Sequence, residues 1–192
     1  MTLMTRYAAG ADVCLGFWQQ AWEDGWIHFP PDARVLELGC AEADWQTPML
    51  ALRPDLQITG IDSRAVTRPG LTIQGDILAQ DFGPASFDCI VAVSHVEWVG
   101  IGHYGDPQVE DADRLEMALC ARWLAPGGWL YLDVPHRPDG PDPTTRFRAY
   151  TDAMIRERIV EPHFREVRRR LITKAEANHQ DGPYIALLLE HA

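Results

Sequence analysis

The chain has 192 residues, 46% of them hydrophobic and 23% charged, with a formal net charge of −11. That length supports one sizeable core and the balance is that of an ordinary globular protein. The acidic excess argues against a broad nucleic-acid surface, which draws its affinity from clustered Lys and Arg, and no run of eighteen apolar residues offers a membrane helix.

Residues 1–31 read as an N-terminal helical extension of a single domain covering 1–192. Val13, Cys14, Phe17, Trp18, Ala21 and Trp22 recur at helical spacing between Ala11 and Asp24, and Gly25 can stop that helix. Trp18, Trp22 and Trp26 make it a heavily aromatic element, suited to packing on a sheet edge or covering a crevice. Pro30 and Pro31 close the segment.

The stretch from Arg34 to Asp62 organises the chain. Val35, Leu36 and Leu38 form an apolar run ending at Gly39; Ile58, Gly60 and Ile61 form a second, ending at Asp62. A helix of about a dozen residues fits between them, as a right-handed βαβ unit requires. Such a unit sets its first turn and the end of its second strand beside one crevice, where an adenosine-containing ligand commonly sits. Leu71–Ile73 reads as a third strand and Ser86–Val93 as a fourth, apolar almost throughout, as a strand covered on both faces should be.

A long polar connection runs from Ser94 to Asp111. The next helix reaches about Ala125, with Leu115, Ala118, Leu119, Arg122 and Trp123 on the helical repeat. Pro126-Gly127-Gly128 reads as a turn into a fifth strand, Trp129–Val134. A second loop, 135–149, precedes a helix from about Thr151 to Val160. Phe164–Thr173 and Tyr184–Glu190 then form an antiparallel pair. The fold class is α/β: a Rossmann-like, seven-stranded, mostly parallel sheet with helices on both faces and an antiparallel C-terminal strand.

Cysteines stand at 14, 40, 89 and 120 without a C-x-x-C pair, which matches neither a zinc site nor a disulfide framework. A reducing cytoplasm is the expected compartment and no metal site is expected. Arg168, Arg169 and Arg170 read as a charged strand edge.

VLELGC, GIDS, GDI, FDCIVAVSHVEWVG and ARWLAPGGWLYLDVP resemble, in order and spacing, the successive motifs of class I S-adenosylmethionine-dependent methyltransferases. The SHVEWVGIGHYGDP segment is further similar to bacterial methyltransferase-like proteins associated with surface-sugar biosynthesis. The resemblance implies S-adenosyl-L-methionine as cofactor. Glu37 would stand near its ammonium group, with Gly39 and Ala41 in the turn around its methionine part. Asp62 would accept from the ribose hydroxyls, Asp76 from the adenine amino group, and Ile77 would lie against the ring. Ser94 and His95 would face the transferred methyl group. One departure is plain: the family's G-x-G-x-G turn stands here as Gly39-Cys40-Ala41-Glu42-Ala43, and a Cβ costs around 1 kcal/mol wherever a left-handed backbone is needed.

A nicotinamide cofactor would want G-x-G-x-x-G, but positions 39, 41 and 44 hold Gly, Ala and Asp, and that aspartate opposes a pyrophosphate. Methyl transfer to a hydroxyl needs a proton acceptor. His95 is the first candidate base and His103 the second, with Glu97, Tyr104 and Asp106 in the same connection. His136, Arg137, Arg146 and Arg148 in the second loop suit an anionic acceptor. The expected activity is methyl transfer to a small molecule or sugar, at oxygen. The alternative is a catalytically weak methyltransferase-like protein that binds or assembles. A homodimer through the edge strand or the aromatic N-terminal helix is the expected protein partnership.

Overall fold

The computed structural model describes residues 23–25, 29–41, 45–140, 146–173, 175 and 183–192, the side chain of Pro48 excepted. The expected helix over 11–24, its tryptophans, Glu42, Ala43 and Asp44 lie almost wholly outside the described residues.

Seven strands form one sheet: β1 (Arg34–Leu38), β2 (Gln57–Asp62), β3 (Leu71–Gln74), β4 (Phe87–Ala92), β5 (Leu124–Pro135), β6 (Phe164–Ile172) and β7 (Tyr184–His191). Their order is β3-β2-β1-β4-β5-β7-β6. The first five run parallel, and β7 enters antiparallel between β5 and β6. This is the expected α/β architecture.

Alternation along the strands divides the core into two layers. Leu36, Ile90, Leu132 and Leu187 face one side, where they pack on Met117, Cys120 and Trp123 of helix α2 (Ala112–Trp123) and on Ile155 and Ile159. Those isoleucines belong to the π-helical turn Ile155–Val160 that continues helix α3 (Asp152–Met154). Val35, Ile58, Val91 and Leu188 face the other side, against Trp45 and Met49 of helix α1 (Gln46–Leu52) and its N-cap. Helices therefore cover both faces.

Three expectations change. Helix α1 has seven residues rather than a dozen, ending at Arg53 just before Pro54, which disfavours helix in the residue preceding it. Pro126-Gly127-Gly128 does not end an element. It lies within β5 as a bulge, where the pairing with β4 jumps from Phe87–Leu124 to Cys89–Trp129. Helix α2 is rotated from the face its apolar spacing indicated. Leu115 is 49% exposed, whereas Asp113 and Glu116 are fully buried. The side chains that meet those two carboxylates define much of the site.

Candidate active site

Strand order reverses between β1 and β4, so their carboxyl ends open the crevice in which ligands of open α/β sheets bind. Gly39, Asp62 and Ser94 stand at the ends of β1, β2 and β4. They line a cleft with Ile61, Asp76, Ile77, His95, Trp98 and Tyr104, with about 560 Å³ of space between its walls and mouth. The β1 turn is tied to β2: Gly39 and Cys40 N–H donate to the Ile61 carbonyl at 2.9 and 3.3 Å. Ala41 N–H donates to Asp62 Oδ2 at 3.0 Å.

Asp62 is also held by Arg64. The guanidinium donates to Oδ1 at 3.0 Å and Oδ2 at 3.2 Å, and the Arg64 backbone N–H adds a third bond at 2.9 Å. Burial pushes the Asp62 carboxyl up, but these bonds and that from Ala41 outweigh it and hold the group below its ordinary range. Arg64 in turn lies 4.0 Å over the Tyr104 ring, a cation–π contact across the cleft.

Glu37 is buried outside the lining, accepting from Gln46, whose side-chain oxygen accepts from Gly70 N–H at 3.0 Å. It thereby links β1, α1 and the segment before β3. From that segment Arg68 donates to the Cys40 and Ala41 carbonyls at 2.9 and 2.8 Å. Gly39 has φ +73°, while Ala41 is not left-handed, so the first alanine substitution carries no backbone strain. Asp76 borders the cleft and caps the following 3₁₀ turn, Ile77–Ala79, through Leu78 N–H at 3.0 Å.

Ser94 is left-handed at φ +48°, and its N–H donates to Asp133 Oδ1 at 2.7 Å. His95 comes next and turns inward. A Cβ on Gly39 would sit 2.6 Å from His95 Nδ1, and His95 Nε2 lies 2.9 Å from Glu116 Oε1. The approach is short but poorly aligned as a hydrogen bond. Burial lowers the imidazole's proton affinity, yet Glu116, Asp62 and Asp106 together raise it above the ordinary histidine value. Glu97 is buried behind this pair. Burial first, then Asp133 and Glu116, push its carboxyl well above the ordinary range.

His103 stands apart. It is exposed, tilted over Trp98 and edge-on to Tyr104 at 4.6 and 4.5 Å between centroids, and not part of the lining. Asp106 organises that loop by accepting from Gly100 N–H at 2.8 Å and Tyr104 N–H at 3.3 Å.

The second loop docks on the first. Arg148 N–H donates to the Glu97 carbonyl at 3.0 Å, and its guanidinium reaches the carbonyls of Val96 and Val99, both at 3.3 Å. Arg158 grips the buried Asp113 through both oxygens at 2.8 and 2.7 Å, and Tyr150 donates to it at 3.2 Å. Arg146 is exposed, Arg137 donates to the His136 carbonyl, and His136 lies 3.5 Å from Asp152. Among the described residues no group of His, Cys, Asp and Glu could hold a metal ion. Sequence reasoning missed Arg64, Arg68, Glu116 and Asp133. Only Asp133, a lone carboxylate inside an apolar strand, carried a sequence signal.

A family model described as a methyltransferase domain matches residues 17–175. No curated protein matches the sequence. Among solved structures, the fold is similar to a SAM-dependent methyltransferase from Methanosarcina mazei (TM-score 0.66, 12% identity, 88% of this chain and 96% of that one). It is as similar to the N-methyltransferase NodS from Bradyrhizobium japonicum WM9 in complex with S-adenosyl-L-homocysteine (0.66, 19%, 98% and 90%). The [4+2]-cyclase SpnF shares the fold too (0.61, 17%, 83% and 74%). With the family model spanning most of its length, this chain belongs to the methyltransferase-domain family.

Proposed function

We propose that the protein is an S-adenosylmethionine-dependent methyltransferase acting on a small molecule or sugar, at oxygen. The observation that carries this reading is the cleft itself: Asp62 ends β2, Asp76 and Ile77 border the same space, and Ser94 with His95 closes it from β4. Its mix of apolar wall and convergent polar groups at the carboxyl ends of the strands suits an adenosine-containing ligand. The residues fit S-adenosylmethionine on one condition, that Arg64 yields Asp62. Asp62 would then accept from the ribose hydroxyls, Asp76 and Ile77 would meet the adenine, and Gly39, Ala41 and Ser94 would border the methionine part, with Glu37 bracing the turn from beneath. Bound there, the cofactor supplies a methyl group already activated by its sulfonium.

An oxygen acceptor is supported by the histidine in the cleft, since a hydroxyl nucleophile needs its proton removed. His95 is the base in this reading. His103 is the second candidate, placed on the aromatic side of the loop. A sugar acceptor is supported by the Trp98 and Tyr104 faces at the cleft and by the SHVEWVGIGHYGDP resemblance. The reading extends to one domain over 1–192 with 1–31 as a helical extension, a cytoplasmic setting, no nucleic-acid partner and assembly with a second copy.

A second reading, a methyltransferase-like binding protein with weak or no catalysis, is favoured by one observation: the protein's own guanidinium sits where the ribose would bind. Calorimetric titration with S-adenosylmethionine and S-adenosylhomocysteine, with Asp62→Ala as control, separates the two. Micromolar binding lost in the variant supports the enzyme and justifies screening hydroxylated acceptors, nucleotide sugars first. A folded wild type that binds neither ligand rejects it.

A further inference from the structure

We infer that Glu116 is the positioning residue for His95, turning the imidazole so that Nε2 is bound inward and Nδ1 is the nitrogen offered to the cleft. The inference rests on the methyl-transfer reading and adds to it which ring atom acts and what holds that atom in place.

Two contacts fix the ring. On one side it lies against the bare backbone of Gly39, where the Nδ1 edge is so close that any side chain at 39 would collide with it. On the other, Nε2 meets Glu116 Oε1 at 2.9 Å. The Glu116 side chain is fully buried, whereas His95 keeps 17% of its side chain open. Neither Glu116 oxygen has an aligned hydrogen bond to any other described group. A buried carboxylate in that position is costly unless a cation or donor faces it, and the imidazole is the group that does. The same contact keeps the proton of the neutral ring on Nε2, because a lone pair there would face a carboxylate. Nδ1 is then left with its lone pair, on the ring edge beside Gly39 in the cleft wall.

The charged and titratable groups around the pair come from every neighbouring element. Asp62 approaches from β2 and Asp106 from the loop after β4. Glu97 faces Glu116 from that loop, and Asp133 faces Glu97 from β5, with Arg148 of the second loop partly offsetting their effect on Glu97. Cys120 lies one turn along α2 from Glu116, its thiol pushed up by burial and by that carboxylate. Anionic groups predominate, so the ring holds a proton more firmly than free histidine does. It works as a base only once neutral. The acceptor's hydroxyl proton passes to Nδ1, Glu116 stabilises the imidazolium that results, and the proton then leaves to solvent.

The test is nitrogen NMR of the full-length protein labelled in histidine, titrated with pH, with His95→Gln to assign the resonance. Neutral wild-type His95 should carry its proton on Nε2 and titrate above free histidine. Glu116→Gln, checked for an unchanged fold by circular dichroism, should move that titration to lower pH. With an acceptor in hand, the acidic limb of kcat should move the same way while KM changes little. A wild-type ring protonated on Nδ1 overturns the inference, and so does a titration unmoved in Glu116→Gln. Should that variant not fold, the wild-type tautomer alone decides. Cofactor binding is read separately: an Nε2-protonated ring in a protein that ignores S-adenosylmethionine upholds the positioning and rejects the methyl-transfer reading.

Discussion

Arg64 holds Asp62 through both carboxylate oxygens, two residues along the chain, and stacks on Tyr104 from the far wall of the cleft. The carboxylate proposed to receive the ribose is therefore already engaged. Arg64→Ala removes a competitor that a ligand must displace. Because the guanidinium is one-third exposed, the pair contributes about 1 kcal/mol, and the variant should bind S-adenosylmethionine roughly fivefold tighter by calorimetry. Weaker binding would instead mean that Arg64 contacts the cofactor.

Gly39 is required twice over, by its left-handed backbone and by the ring above it. Gly39→Ala should cost about 1–2 kcal/mol for the backbone alone. The collision with His95 adds to that cost. Urea denaturation would show the loss, and S-adenosylmethionine titration should show weakened binding, since the displaced ring enters the cleft.

Asp113 and Arg158 form a buried, bidentate pair joining α2 to the π-helical turn. Arg158→Met leaves the buried carboxylate with only the Tyr150 hydroxyl and the more distant Arg148 at 3.9 Å, and should destabilise the fold by about 3 kcal/mol. Adding Asp113→Asn should recover much of that loss. A double-mutant cycle by denaturation measures the coupling.

Glu97 gives the fold a pH dependence of definite sign. Its carboxyl is raised in the folded state by burial, Asp133 and Glu116, so the folded protein holds a proton that the unfolded chain releases above the ordinary glutamate value of 4.5. The contribution is fully present below pH 4.5 and is lost as pH rises through the elevated folded value. Glu97→Gln cannot ionise, so its stability should fall less than that of wild type over this range. Denaturation midpoints at a series of pH values would reveal any equal slope, which would remove Glu97 as the cause.

The sheet was legible because its central strands are apolar runs that end in a glycine or a carboxylate. Asp62 could be placed on that basis alone. The face of α2 was not legible: Asp113 and Glu116 lie off its apolar repeat, and their partners Arg158 and His95 are distant in sequence or hidden in a polar loop. Apolar periodicity locates a helix, but a buried ion pair decides which way it turns. Arg64 and Arg68 escaped notice for a related reason. A long flexible side chain declares its target only once the backbone has brought that target within reach.

Arg68 grips the carbonyls of Cys40 and Ala41 from nearly thirty residues away. The curvature of the turn is thus enforced from outside it, and mutation at position 41 can drift without unmaking the loop. Selection would then act on the arginine before β3 in place of the local glycines. Surveys of genomes keyed to glycine fingerprints would pass over such chains, whereas covariation between the turn and that distant arginine would recover them.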